Sequence, residues 1–124
     1  MTETTALQHA IDEWAEQGDW VRVLPLVTQL VRIAPEDPAS HWQLANCLHR
    51  LGRPTHALGV YACCVAMAGR SPAPLLRMGE CLRDIGQTRE ALQCLDACVE
   101  IARTDPDHRA LQLLAEQLAH ALRR

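Results

Sequence analysis

The stretch Trp42-Gln-Leu-Ala-Asn-Cys-Leu-His-Arg-Leu-Gly52, followed by Ala57-Leu-Gly-Val-Tyr61, decides the fold. Shifted by 34 residues it reads again: Gly52 falls on Gly86, Ala57 on Ala91, Ala45 on Gly79, Leu48 on Leu82 and Cys64 on Cys98. Pro38, Pro72 and Pro106 stand at the same interval, and one step back from Gly52 lies Gly18. A fixed period with small residues where two helices must touch predicts stacked helical hairpins. One hairpin cannot cover its own apolar face and must borrow a neighbour's.

Breakers set the element boundaries. The segment Thr4 to Gln17 ends at Gly18, and Gly52 and Gly86 end the equivalent helices, each suited to the left-handed conformation of a helix C-terminus. Start signals follow each glycine: Asp19 as an N-cap, Pro54 at a first helical position and Thr88 as an N-cap. The second helices are therefore expected over Trp20 to Ala34, Pro54 to Ala68 and Thr88 to Ala102. From Asp107 to Leu122, the set Ala110, Leu111, Leu114, Ala115, Leu118, Ala121 and Leu122 recurs at helical spacing, predicting a terminal cap with a polar outer face. The first pair is irregular. It carries Ile11, Val23 and Leu30 at the small-residue positions, which predicts wider helix spacing, and Pro25, which predicts a bent or late-starting helix. Period and element plan resemble tetratricopeptide repeats. The expected fold is an all-α solenoid of three tetratricopeptide helix hairpins (about 4–37, 38–71 and 72–105) plus a C-terminal capping helix (106–123), one domain over 1–124.

With 48% hydrophobic and 22% charged residues, the composition is that of an ordinary globular chain. All 12 basic residues other than His are Arg, and against 15 acidic ones they leave a net charge of -3. No cationic surplus exists to displace counterions from a polyanion, so nucleic acid is not an expected partner. The polar, acidic start shows no secretory pattern, and the chain is expected to stay in the cytoplasm. Its longest uncharged apolar stretch, Ala57 to Gly69, is shorter than the roughly 20 residues that cross a bilayer. No membrane partner is expected. Of the six cysteines, Cys47 and Cys81 are repeat equivalents, as are Cys64 and Cys98, which fits small apolar side chains at helix contacts. Cys94 and Cys98 with Cys63, Cys64 and a nearby His offer a metal-binding alternative, but Cys-x-x-Cys pairs are missing. Reduced structural thiols are the reading adopted, with no metal and no cofactor. No nucleophile, base and orienting group converge, and the glycines end helices rather than cradle phosphate, so no enzyme is expected.

In tetratricopeptide arrays the first helix of each pair lines a concave groove. The corresponding residues are Thr5, Gln8, Asp12, Ala15 and Glu16, then Ala39, Trp42, Asn46, His49 and Arg50, then Ala73, Leu76, Glu80, Arg83 and Asp84. Trp42 and Leu76 suit apolar anchoring, and Gln8, Asn46, Glu80 and Arg83 suit the backbone of an extended peptide. Gln8, Asp12, Trp42, Asn46, His49, Leu76, Glu80 and Arg83 form the expected client groove. Core packing is the competing reading of Trp42, and a solvated face that of Asn46 and Arg83. A second surface is Gly59, Val60, Cys63, Ala66 and Met67, an outward apolar stripe of small residues on the middle pair's second helix. Either a second copy or partner covers it, or a flanking element of the chain does.

The opening stretch, with Pro74-Leu-Leu-Arg-Met-Gly-Glu-Cys-Leu82, Gly86 to Leu92 and the tail Asp105-Pro-Asp-His-Arg-Ala-Leu, resembles the class II chaperones of bacterial type III secretion systems. The likeness covers about residues 38 to 124. It implies a cytoplasmic holder of secreted pore-forming translocators, gripping an extended client segment in the groove and often self-associating or pairing with a small co-chaperone. By position it reaches Trp42, Asn46, Leu76 and Glu80. Gln8 and Asp12 stand where that family places bulkier anchors, which leaves a needle-type subunit open as the client. A general tetratricopeptide scaffold, or an assembly or regulatory factor, is the alternative.

Overall fold

The computed structural model describes residues 2–69 and 71–124. The described residues form seven α-helices: α1 Glu3–Glu16, α2 Trp20–Ile33, α3 Pro38–Arg50, α4 Pro54–Ala68, α5 Pro72–Asp84, α6 Thr88–Ala102 and α7 Arg109–Arg123, with a 3-10 turn Pro106–His108 before α7. Each helix packs on the next in chain order, and α7 also touches α5. The fold is all-α and of tetratricopeptide type.

The hairpin turns repeat atom for atom. Gly52 N–H bonds to the His49 carbonyl and Arg53 N–H to that of Leu48, as Gly86 and Gln87 do to Arg83 and Leu82, and Gly18 and Asp19 to Ala15 and Trp14. These paired bonds satisfy the carbonyls a helix end leaves orphaned, and they require a left-handed residue, which the glycines supply at φ 71, 76 and 84. Asp19 accepts from Arg22 N–H as the expected N-cap, and Asp37 accepts from Ala39 N–H.

Two local expectations fail. Thr88 is the first residue of α6, not its cap; the cap is Gln87, whose side chain makes no capping bond. Gln87 lies one period after Arg53 and two after Asp19, so the backbone kept the period where the side-chain chemistry suggested otherwise. Pro25 does not delay α2, which starts at Trp20, because Asp19 already nucleates the first turn.

Three clusters make the core. Between the first hairpin and α3, Ile11, Val23, Val27 and Leu30 pack with Cys47, so the large residues of the irregular pair are buried. Ala45, Ala57, Tyr61 and Cys81 join the middle helices, and Leu76, Leu95, Cys98, Val99, Ala115 and Ala119 join α5, α6 and α7. The outer face of α7 is not wholly polar. The helix buries Ala115 and Ala119 but leaves Leu113 42% exposed and Leu114, on the side toward α5, 48% exposed.

Candidate functional site

Polar links stitch the inner faces of α1, α3 and α5 together. Gln8 and Gln43 exchange amide hydrogen bonds of 2.8 and 3.0 Å between α1 and α3, and Gln8 also donates to Asp12. His49 Nε2 lies 3.0 Å from Asp84 Oδ2 between α3 and α5, and Arg83 donates to the other Asp84 oxygen. Burial pushes the Asp84 carboxyl up, but the bonds from His49 and Arg83 and the Arg83 charge outweigh it and hold the pKa below the usual value. Within α5, Arg77 and Glu80 pair at 2.6 Å.

Three compartments open on this surface. The largest, about 390 Å³, is lined by Asn46, His49 and Arg50 of α3 and Arg77 and Glu80 of α5, with Trp20 and Tyr61 reaching in from the second helices. Arg50 lies over the Trp20 ring at 5.5 Å from its centroid. A second, about 200 Å³ and mostly apolar, holds Trp42, Ala39, Ala73, Pro74, Cys64 and Ala68. The third, about 260 Å³, lies between α5 and α7 against Leu76, Arg77, Glu80, Leu114, Gln117 and Leu118.

The predicted groove residues are distributed unevenly over these spaces. Asn46, His49 and Glu80 meet in the largest, Trp42 walls the second, and Glu80 and Leu76 border the third. Leu76, read as an accessible anchor, is only 1% exposed and belongs to the core cluster with Leu95 and Cys98. Gln8, Asp12 and Arg83 line none of the three, their side chains being engaged with Gln43, one another or Asp84. Asn46 is half committed: its carbonyl accepts from the Tyr61 hydroxyl, leaving the amide N–H groups for a ligand. Trp42 is half-buried and stands edge-on to Tyr61 at 5.5 Å, so it is both core and groove wall. Burial pushes the Tyr61 pKa up, with the Cys81 charge adding, and keeps the hydroxyl a neutral donor.

Trp20, Tyr61, Leu114, Gln117 and Leu118 escaped the sequence reading. A signal existed for the last three, since one more 34-residue step carries Glu80 to Leu114, Arg83 to Gln117 and Asp84 to Leu118. For Tyr61 the signal was the small pair Ala45 and Ala57, both fully buried, which brings α4 near enough for its tyrosine to reach α3.

On α4, Gly59, Cys63, Ala66 and Met67 are exposed, while Val60 is half-buried against the middle cluster. Cys47, Cys64, Cys81 and Cys98 are buried free thiols. Burial, with the Asp84 and Glu80 charges adding, pushes Cys81 up to about 11, and burial alone does the same to Cys98. Among the described residues no three His, Cys, Asp or Glu converge in a metal-binding group.

Residues 2–78, from the cap of α1 to the middle of α5, match the family model of the bacterial transcriptional activator domain. The chain belongs to that family. In this bacterial transcriptional activator domain the matched segment comprises the first two hairpins and half of α5, and residues 75–109 match the tetratricopeptide repeat model. No curated protein sequence matches the chain. Solved structures do. PcrH from Pseudomonas aeruginosa superposes with a TM-score of 0.90 at 21% identity, over 100% of this chain and 96% of that one. SycD of Yersinia enterocolitica, in complex with a peptide of the translocator YopD, gives 0.90 at 18% identity over 99% and 95%. PcrH in complex with the chaperone binding region of PopD gives 0.89 at 22% over 98% and 93%. This domain thus has the fold of type III secretion translocator chaperones along its whole length. No helix of the described residues is long and apolar enough to cross a membrane.

Proposed function

We propose that the chain is a cytoplasmic chaperone that grips an extended segment of a secreted client, a translocator or needle-type subunit, along the inner faces of α3 and α5. The observation that carries this reading is the end-to-end superposition on PcrH and SycD, two structures of which hold a translocator segment. The apolar compartment at Trp42 beside the polar one at Asn46 and Arg50 supports it, since a peptide needs an anchor and a partner for its backbone. Holding such a segment keeps membrane-seeking helices from associating early, and no chemical step is involved. The α4 stripe serves a second copy of the chain or a small co-chaperone.

The family match favours one other reading, an interaction domain within transcriptional regulation, acting through protein contacts since the net charge is -3. One experiment separates the two. The chain is expressed with the products of neighbouring genes, purified, and the retained protein identified. A secreted hydrophobic protein is the expected result; a transcription factor or polymerase subunit transfers the assignment to regulation, and an empty eluate refutes chaperoning.

A further inference from the structure

Asn46 and Tyr61 are the single asparagine and the single tyrosine of the chain, and they meet where the largest compartment touches the core. Tyr61 is 1% exposed. Its ring stands edge-on to Trp42, and the fully buried Ala45 and Ala57 share its cluster, which holds the phenol in place. Burial keeps its hydroxyl protonated, and a buried hydroxyl needs an acceptor. Among the described residues that acceptor is the Asn46 carbonyl. Reversing the amide would set an N–H group against the hydroxyl and leave the phenolic proton without a partner. The phenol therefore decides which end of the Asn46 amide is free. That end is the N–H group, which makes no hydrogen bond among the described residues and is not sealed from solvent. The charges beside it have the same sense. Glu80 turns one oxygen to Arg77 at 2.6 Å, and Arg50 adds a second guanidinium, so the wall carries two cations against one carboxylate.

We propose that Tyr61 is a positioning residue that fixes Asn46 as a donor, so that the largest compartment takes an acceptor oxygen of the client and turns away a donor. The oxygen comes from a backbone carbonyl or from a side-chain carboxylate. The inference rests on the groove reading above and adds the hydrogen-bonding sense of what that groove accepts. Because Glu80 keeps a second oxygen, a donor-only molecule is the informative competitor.

Three small probes separate these chemistries. N,N-dimethylacetamide offers a neutral carbonyl that only accepts, acetate accepts and carries charge, and acetamidinium has the shape of acetate but only donates. Each is titrated at neutral pH and constant ionic strength into the full chain, isotope-labelled on its tryptophan indole nitrogens and followed by NMR. Trp20 lines the compartment and reports its occupancy, and Trp14, outside all three compartments, is the internal control. Acetate is expected to shift the Trp20 resonance saturably and acetamidinium to leave it in place. A matching shift with dimethylacetamide shows that a backbone carbonyl suffices, and a shift with acetate alone assigns the site to a carboxylate. Asn46→Asp still accepts from Tyr61 but replaces the free N–H group by oxygen. It should weaken acetate about tenfold, as for one lost hydrogen bond to a charged group, and admit acetamidinium. Tyr61→Phe frees the amide to turn either way and should narrow the preference for acetate over acetamidinium. A bond that only tied α4 to α3 would survive in Asn46→Asp and leave the selectivity of the compartment unchanged. Saturable acetamidinium binding to the wild type, no response to either acceptor, or an Asn46→Asp chain as selective as the wild type overturns the inference. The same variant is carried through the co-expression experiment. Client retained alike by wild type and Asn46→Asp sinks the donor assignment alone, whereas a wild type that retains none sinks the groove reading.

Discussion

Glycine has opposite meanings at two helix-interior positions of this chain. A Cβ built on Gly79 would stand 2.7 Å from Leu95 Cδ2 and 2.8 Å from its Cγ, and Leu95 is fully buried and cannot retreat. Alanine gains about 1 kcal/mol of helix propensity there, but overpacking costs about 1–3 kcal/mol. Gly79→Ala is therefore expected to lower the unfolding free energy by about 1 kcal/mol in a urea titration. Gly59 has nothing within 4 Å. Gly59→Ala should raise stability by up to about 1 kcal/mol in the isolated chain, and a smaller gain in an assembled form would mean that a partner approaches closely there. The thiols divide in the same way. Cys63 is exposed and Cys47, Cys64, Cys81 and Cys98 are buried, so a thiol reagent at pH 8 should modify Cys63 first. The four buried sulfurs should react only on unfolding, which mass spectrometry of the partially labelled chain will read.

At the scale of elements, α2 and the α3–α5 contact carry the clearest expectations. Pro25 sits in the sixth position of α2 and cannot donate to the carbonyl four residues back, that of Val21, which is 72% exposed. Pro25 is itself exposed, so Pro25→Ala loses no packing. It should raise stability by about 1–3 kcal/mol, visible as a higher thermal midpoint. Between α3 and α5, partial desolvation raises the carboxyl of Asp84, but His49 and Arg83 outweigh it and hold it below its usual range. A depressed carboxyl pKa contributes stability that is fully present above the unfolded value and lost as pH falls through the folded one. The loss therefore begins near pH 4, where a free aspartate starts to protonate. Asp84→Asn should flatten the acid limb of the stability curve below about pH 4 and lower stability at neutral pH. An unchanged acid limb would mean that the His49–Asp84 link does not couple the two helices.

For the whole molecule, stacking explains why both ends of the array differ from its middle. The middle hairpin has neighbours on both sides, whereas α7 has α5 and α6 on one side only and leaves Leu113 and Leu114 uncovered. On α4 the exposed residues Gly59, Cys63, Ala66 and Met67 lie on one face, where Met67 is the one large side chain among small ones. If a second copy covers this face, wild-type chain elutes as a dimer on a sizing column and Ala66→Glu or Met67→Glu elutes as a monomer. A wild type that elutes as a monomer at all concentrations removes the stripe from the account of assembly.

The period of Pro38, Pro72 and Pro106, with Gly18, Gly52 and Gly86, was enough to place α1, α2, α4 and α6 to within one residue, because those signals act through local backbone geometry, whereas the capping helix expected from 106 starts at Arg109 after a 3-10 turn. Small residues at Ala45, Ala57, Gly79 and Ala91 likewise announced where helices touch, since a side chain's volume is written in its identity. What lines the groove was only partly legible. Leu76 turned into the core with Leu95 of α6, because position on a helix face specifies direction but not what a neighbouring element has already claimed, and Arg83 folded onto Asp84, the next residue of its own helix. Tyr61 reaches α3 from α4, and Leu114 faces a cavity with α5, through contacts between residues far apart in the chain. Such contacts exist only after the helices stack, so tertiary packing alone decided which polar groups remain free on the inner surface.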